Sequence, residues 1–471
     1  MARIYPFRAL RYDTQKVKME DVVTQPYDKI TPEMQQAYYD RSKYNLIRVI
    51  LGKKEPNDTD PFAPIPGETA QTVYTRAAES LTSWRKKNIL RQETEPALYG
   101  YSQTYTVPGT QEVRERRGFI ALGHLYDYAD HVVYRHEQTF PKHKSDRLAL
   151  FKATRAYCEQ IYMLYSDPAF TAERLIFESG APADLEITDE YDVVHKVWKL
   201  TNPTLINLIT TAMADKKLII ADGHHRYETS VTYMHERAAE LGLSSRSEAE
   251  GSASSSSEDD ESPSERADEP HSRALVPPFP EAAMMMTFVN MDAPGITILP
   301  THRVVFGLEN FSTEAFLTAA EEFFDILPLV EPNTEELVAA VGVAFIAATR
   351  DGNHLLTAKP EAIRAALKAM HPEISDRQAS LDVVQLHNIV LEHLLHLSHQ
   401  SIAELKNIRY IRSAEEAVEQ VHSGKADVAF LIKPVTLDQL KDISLANDVM
   451  PQKSTDFYPK LLSGLAIYAL D

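Results

Sequence analysis

Cysteine is almost missing from this chain. Cys158 is the only one in 471 residues, so an intrachain disulfide is excluded and the protein suits a reducing compartment. It lies in the apolar stretch 157–164, where a small buried hydrophobe is expected rather than a nucleophile. Long apolar runs are missing as well: none approaches the roughly 20 residues that span a bilayer. The first residues, Met1-Ala2-Arg3-Ile4-Tyr5-Pro6-Phe7, carry neither the apolar core of a secretory signal nor an Arg- and Ser-rich transit pattern. A cytoplasmic location is therefore expected. The third absence is excess positive charge. Net charge is −19, and without a basic stripe the chain is a poor partner for nucleic acid or for an anionic membrane. Anionic small molecules remain as partners, bound at local clusters of cations.

What is present is otherwise ordinary for a globular protein, with 44% hydrophobic and 25% charged residues. The length exceeds one simple core. The pattern resets after Pro300, so residues 1–300 and 301–471 are expected to form two domains. Within the first, residues 244–273 hold eleven Ser, nine Asp or Glu and three Arg, with almost no large apolar side chain. Such a segment cannot offset its chain entropy and is expected to be a disordered acidic insertion. Strands are predicted at 42–51, 97–106, 118–125, 160–165 and 282–290, and helices at 71–87 and 145–156. Beyond Pro300 the pattern predicts strands at 302–306, 408–411 and 428–432 and a hairpin of 343–349 with 354–358. Helices are predicted there at 313–324, 360–369, 381–397, 414–423 and from Leu437. Helices mixed with hairpins predict an α/β (mixed α+β) fold and exclude a purely parallel sheet.

The most informative string is 218–229. Leu218, Ile219, Ile220 and Ala221 form a short apolar run, Asp222-Gly223 is turn chemistry, and Tyr227, Val231, Met234 and Ala238 have helical spacing. Strand, tight turn and helix start follow in order. A helix N-terminus presents unpaired N–H groups and partial positive charge. Gly223 lets backbone approach a ligand, and Arg226 adds a planar cation, so the string predicts a phosphate site. The plain alternative is a βα turn capped by Asp222 with two exposed histidines. Adjacent His224 and His225 point apart and make poor joint metal ligands.

Three further clusters carry polar chemistry. Residues 134–147 include His136, Glu137, Thr139, Lys142, His143, Lys144, Asp146 and Arg147. There a carboxylate beside cations could act as general base toward a hydroxyl, with Ser145 or Asp146 capping the following helix. The alternative is a solvated basic helix start. Residues 450–460 contain Lys453, Ser454, Thr455 and Lys460 in a Pro-bounded loop. The Gly-rich turn of a Walker motif is absent there. Finally, His302 and Arg303 follow a turn at 299–301 and would face an anionic ligand.

These segments, in order along nearly the whole chain, resemble domain-of-unknown-function family 1015. The resemblance rests on Pro6-Phe7-Arg8-Ala9-Leu10-Arg11-Tyr12, Pro26-Tyr27-Asp28, Tyr44-Asn45, His136-Glu137-Gln138-Thr139, Asp146-Arg147, Ala221-Asp222-Gly223-His224-His225-Arg226-Tyr227, Leu299-Pro300-Thr301-His302-Arg303, and Pro451-Gln452-Lys453-Ser454-Thr455 through Tyr458-Pro459-Lys460. Two of them, His-Glu-x-Thr and Asp-Gly-His-His-Arg, also resemble free L-serine kinases of the ParB/sulfiredoxin-like fold. That likeness implies a ParB/sulfiredoxin-like core in residues 1–300 and a nucleotide-dependent phosphotransferase making O-phosphoserine. Glu137 would act at the serine hydroxyl, helped by His136 and Asp222. Gly223, His224, His225, Arg226, Lys142, Lys144, Arg147 and Thr139 would hold the phosphates of ATP or ADP, with Mg²⁺ at Asp222. Arg303, His302, Tyr27, Asp28, Lys453, Ser454, Thr455 and Lys460 would meet the amino acid. The rival readings are a phosphoserine hydrolase using the same site, a nucleotide-binding regulator, and a scaffold with a degenerate site. The second half of the chain would complete the site or form a homodimer.

Overall fold

The computed structural model describes residues 2–60, 71–139, 141–243 and 275–471, without the side chains of residues 141–143. The acidic insertion expected at 244–273 lies outside the described residues. The fold is mixed α/β, built on two large sheets. The first runs in the order Val133–Tyr134, Leu218–Asp222, Ile161–Tyr165, Ala283–Asn290, Val113–His124, Leu98–Thr106, Val194–Leu200 and Leu185–Thr188, with Ile4–Tyr5 also paired to Val113–His124. Two of its pairings are parallel, Val133–Tyr134 with Leu218–Asp222 and Ile161–Tyr165 with Ala283–Asn290. The central strands Ile161–Tyr165 and Ala283–Asn290 are buried at every position. They are covered on both faces, which is why they read as continuous apolar runs rather than alternating ones.

The second sheet is antiparallel throughout, in the order Phe324–Leu329, Asn353–Ala358, Ala344–Thr349, Val428–Leu431, His302–Val305 and Ile408–Ile411. From it the chain returns to the first half. Asp456–Tyr458 pairs with Thr297–Leu299, and Tyr468–Ala469 pairs with Ala156–Tyr157. Single bridges join Met450 to Glu137, Ser463 to Thr24 and Ile467 to Leu10. Arg116 anchors this return. Its buried guanidinium donates to Gln103 Oε1 and to the carbonyls of Tyr458 and Pro459, and it lies 4.8 Å over the Tyr162 ring.

Three expectations need correction. The stretch predicted as a strand at 42–51 contains the helix Ile47–Ile50. Asn45 decides this: its Oδ1 accepts from Ile47 N at 2.9 Å while its Nδ2 donates to Asp21 O at 2.8 Å, fixing a turn in a short apolar run of ambiguous period. The helix predicted from 145 begins earlier, as Pro141–Thr154. Proline suits a first helical position, so Ser145 and Asp146 lie inside the helix instead of capping it. The helix predicted at 313–324 stops at Ala320, and Phe324–Leu329 is an edge strand. Cys158 is buried as expected, and burial pushes its thiol pKa up. No helix among the described residues is long and apolar enough to cross a membrane.

Arg116→Ala would leave buried acceptors of the returning segment without donors. A loss of about 2–4 kcal/mol is expected, measured by urea unfolding; an unchanged midpoint and slope would show that Arg116 does not anchor the C-terminal return.

Candidate functional site

The site starts from the turn after Leu218–Asp222. The ladder to Ile161–Tyr165 shifts register between Ile220 and Asp222, and such an irregularity re-aims the side chain at the strand end. Gly223 follows with φ +99°, and a Cβ there would lie 3.0 Å from Ile161 Cδ1 and 3.2 Å from Arg226 Nη2. That positive φ and the crowding by Ile161 and Arg226 favour glycine there. The helix His224–Glu240 then begins at Gly223 without a side-chain cap.

Around the turn, buried charges alternate in sign. Asp222 Oδ1 accepts from Lys460 Nζ at 2.7 Å and Oδ2 from Arg226 Nη2 at 2.9 Å. Burial alone would raise the Asp222 pKa, but Lys460 and Arg226 hold it well below the usual carboxylate range. Lys460 also meets Asp456 at 3.1 Å, and Asp456 meets Lys29 at 3.4 Å and Arg412 Nη2 at 3.0 Å. Burial pushes the Lys29 pKa down, and neighbouring Lys460 adds to this. Arg226 Nη1 donates to the Gln160 carbonyl at 2.6 Å and stands 3.9 Å from Glu159. Glu159 accepts from the Tyr27 backbone N–H at 3.0 Å and faces Arg147 at 3.7 Å. Arg147 is buried, lies 4.1 Å over the Tyr27 ring and donates to Ile50 O at 2.8 Å. Asp28 is exposed beside these groups, and its charge acts on Arg226 and Lys460.

The His-Glu-x-Thr segment arrives at the same place. Val133–Tyr134 runs parallel to Leu218–Asp222, and parallel neighbours release their following loops at the same end of the sheet. His136 and His224, 88 residues apart in the chain, meet edge to face with ring centroids 4.5 Å apart. His136 Nε2 is 2.8 Å from Thr455 Oγ1. Burial lowers the pKa of both rings, His224 to about 3, so both are neutral near pH 7. Glu137 is half-buried and its Oε1 accepts from Lys453 N at 3.4 Å. Loss of solvent raises its pKa, as does the charge of Asp222, against the opposing pull of Lys453 and Lys460. Thr139 and Lys144 both contact Glu228, one helical turn beyond His224, and Glu228 also accepts from Tyr128 OH at 3.1 Å.

The structure thus brings His136, Glu137, Thr139, Lys144, Arg147, Asp222, Gly223, His224, Arg226, Tyr27, Asp28, Lys453, Thr455 and Lys460 into one region. Arg303 reaches it through the returning loop: its buried guanidinium donates to the carbonyls of Thr301 and Lys453 and to His387 Nε2. Burial pushes the Arg303 pKa down to about 10. Ser454 donates to Pro451 O at 2.5 Å and shapes the loop. His302 points into the second sheet, where Nδ1 accepts from Ile432 N at 3.2 Å. His225 is half-buried and engaged, while the Lys142 side chain lies outside the described residues. Both Asp222 oxygens are taken by cations, a donor set that does not fit a magnesium ion. Sequence reasoning missed Glu159, Glu228, Lys29, Asp456 and Arg116. Asp456 was legible, four residues before Lys460, and so was Glu159, a lone carboxylate in an apolar stretch. An open cleft of about 930 Å³, lined by Glu112, Arg114, Arg117, Glu173, Arg174 and Phe177 among others, contains none of the motif residues.

Fold and site define a mixed α/β protein organised around a strand–glycine–helix turn and a returning C-terminal loop. The chain belongs to the family described as Protein of unknown function (DUF1015), whose model matches residues 4–384. No curated protein sequence matches it. Among solved structures it is similar to a free serine kinase in complex with AMP, at 12% identity over 69% of this chain and 83% of that one, with a TM-score of 0.32. It is similar also to a conserved hypothetical protein from Pyrococcus furiosus, at 10% identity, 70% and 89% coverage and a TM-score of 0.32. A third is SbnI with C-terminal truncation from Staphylococcus aureus, at 10% identity, 73% and 85% coverage and a TM-score of 0.33. Likeness at this level carries no argument about chemistry, which rests on the residues themselves.

Lys460→Met would leave Asp222 and Asp456 buried with fewer cations. A loss of about 3–5 kcal/mol is expected at neutral pH. The depressed carboxylate pKa values contribute stability that is complete above the unfolded value of about 3.9 and is lost as pH falls through the lower folded values. The variant should therefore unfold at a higher pH than the wild type in an acid titration followed by circular dichroism. Coincident acid transitions would remove Lys460 from this role.

Proposed function

We propose that the protein is a small-molecule phosphotransferase that phosphorylates the hydroxyl of free L-serine, with ATP or ADP as donor. The observation that carries this reading is the position of Glu137 beside the uncapped start of helix His224–Glu240, with Lys453 and Lys460 near enough to act on its charge. Phosphoryl transfer asks the protein mainly for positioning and for cations around the transferring group. Backbone N–H groups at the helix start would take phosphate oxygens. The Lys453 ammonium suits the same role, since no carboxylate among the described residues forms an ion pair with it. Arg226, bonded inward to Asp222 and Gln160, holds the turn and contributes charge from behind it.

Glu137 is the group for the proton. As the serine oxygen forms its bond to phosphorus, the bond from phosphorus to the leaving nucleotide oxygen breaks, and the hydroxyl proton passes to the Glu137 carboxylate. A pKa raised by burial makes that carboxylate a stronger base. Exposed Asp28 suits the substrate ammonium group, with Tyr27 held beside it by Arg147. No step is assigned to magnesium, because Lys460 and Arg226 already place two positive charges against Asp222.

Purified protein with ATP or ADP and L-serine, followed by mass spectrometry, should yield O-phosphoserine. Glu137→Gln should lower turnover at least about 100-fold while nucleotide affinity changes little; equal turnover would remove Glu137 as the base. Consumption of phosphoserine without nucleotide would point instead to the hydrolase. Because Glu137 must be ionised to accept a proton, kcat/KM should fall as pH drops through its raised pKa. The acid limb should lie above the ordinary glutamate value of about 4.3. A limb at the ordinary value, or one retained by the residual activity of Glu137→Gln, would contradict the assignment.

A further inference from the structure

Two imidazoles and a carboxylate meet beside the charge network, and neither imidazole carries charge in it. One ligand-capable atom from each of His136, Glu137 and His224 lies within 4.8 Å of the others. We propose that these three residues form a binding site for a first-row divalent metal ion of the zinc class, and not for magnesium.

The donor set argues for the class of ion. Magnesium demands oxygen ligands in near-octahedral geometry, whereas two imidazoles with one carboxylate suit zinc and its neighbours and leave positions open for water or a ligand. Burial argues in the same direction. Both His136 and His224 are buried, with His224 Nε2 met among the described residues only by the His136 backbone N–H at 3.5 Å, and polar nitrogens taken out of water call for a partner. The setting of His136 is the third argument. One ring nitrogen is held by Thr455 Oγ1 at 2.8 Å. The other, Nδ1, is buried with no hydrogen-bond partner in good geometry, and the Ile220 backbone lies within weak hydrogen-bonding reach of the ring. A ring oriented through one nitrogen and free at the other is the usual arrangement of a metal-binding histidine.

The backbone makes the cluster rigid enough to matter. His136 follows a strand paired in parallel with the strand that precedes His224, and the bridge from Glu137 to Met450 ties the third ligand to the returning loop. Zinc bonds of about 2.0–2.2 Å place ligand atoms closer together than the present limit, so a bound ion would draw the three side chains inward. Metal binding is measured without substrate or turnover, so it is tested apart from the phosphotransferase reading; an ion held by Glu137 would occupy the carboxylate proposed there as base, and bound zinc should therefore inhibit that activity.

The test uses the full chain, stripped with chelator and dialysed separately against Zn²⁺ and Mg²⁺, with bound metal counted by mass spectrometry. One tightly held zinc per chain is expected, with magnesium not retained. His136→Gln and His224→Gln should each weaken zinc at least about 100-fold while keeping the wild-type melting temperature of the metal-free protein. His371→Gln, at a histidine 3.4 Å from Glu373 and outside the cluster, should leave binding unchanged. Should either cluster variant fail to fold, wild-type protein loaded with Cu²⁺ gives a second reading, because pulsed electron paramagnetic resonance should detect two ligating imidazoles. Absence of zinc, equal retention of magnesium, unaltered affinity in folded cluster variants, or a copper spectrum without imidazole nitrogen would each overturn the site.

Discussion

The contact between Asp222 and Lys460 joins residues 238 positions apart, and much of the site hangs on it. Taking either charge out of water alone would cost several kcal/mol. The structure offsets this by alternation: Arg226, Asp222, Lys460 and Asp456 follow one another, with Lys29 and Arg412 closing the far end. Each member compensates a neighbour, so none can be removed without stranding another. The strand–glycine–helix turn and the C-terminal return therefore form as one unit, although they are far apart in sequence.

That arrangement separates two kinds of polar chemistry. The saturated ion pairs hold shape, and Arg226, Asp222 and Arg147 belong with them because each is bonded inward. The groups with capacity left are different: Glu137, half-buried with a raised pKa; Lys453, without an ion-pair partner among the described residues; and the neutral rings of His136 and His224. Groups with unspent capacity are better candidates for function than those whose donors and acceptors are matched. Glu228 bridges the two kinds, since it fixes Thr139 and Lys144 against the helix that carries His224.

Periodicity and turn chemistry reported the local elements well. The strands Leu98–Thr106 and Ile408–Ile411 and the helices Val73–Lys86 and Ala414–His422 fall close to where the pattern puts them. It failed where a short apolar run had no decided period, as at Ile47–Ile50, where the Asn45 side chain made the choice. It also missed Leu185–Thr188 and Val194–Leu200, whose half-buried alternation is weak. Of the site, the motif residues were legible because turn-forming glycine, histidine and acid cluster in short strings. Lys29 and Glu228 were harder to read, because each is a single charge whose meaning comes from a partner far along the chain.

The sequence by itself determined the mixed α/β class, the absence of disulfides and the strand–turn–helix at Asp222-Gly223, since each depends on neighbours within a few residues. Only the tertiary structure decided that His136 meets His224, that Lys453 and Thr455 close over Glu137 and His136, and that both Asp222 oxygens are occupied. Those facts depend on which strands lie side by side and where the C-terminal segment returns. Nothing in the local spacing of residues encodes a contact made across hundreds of positions.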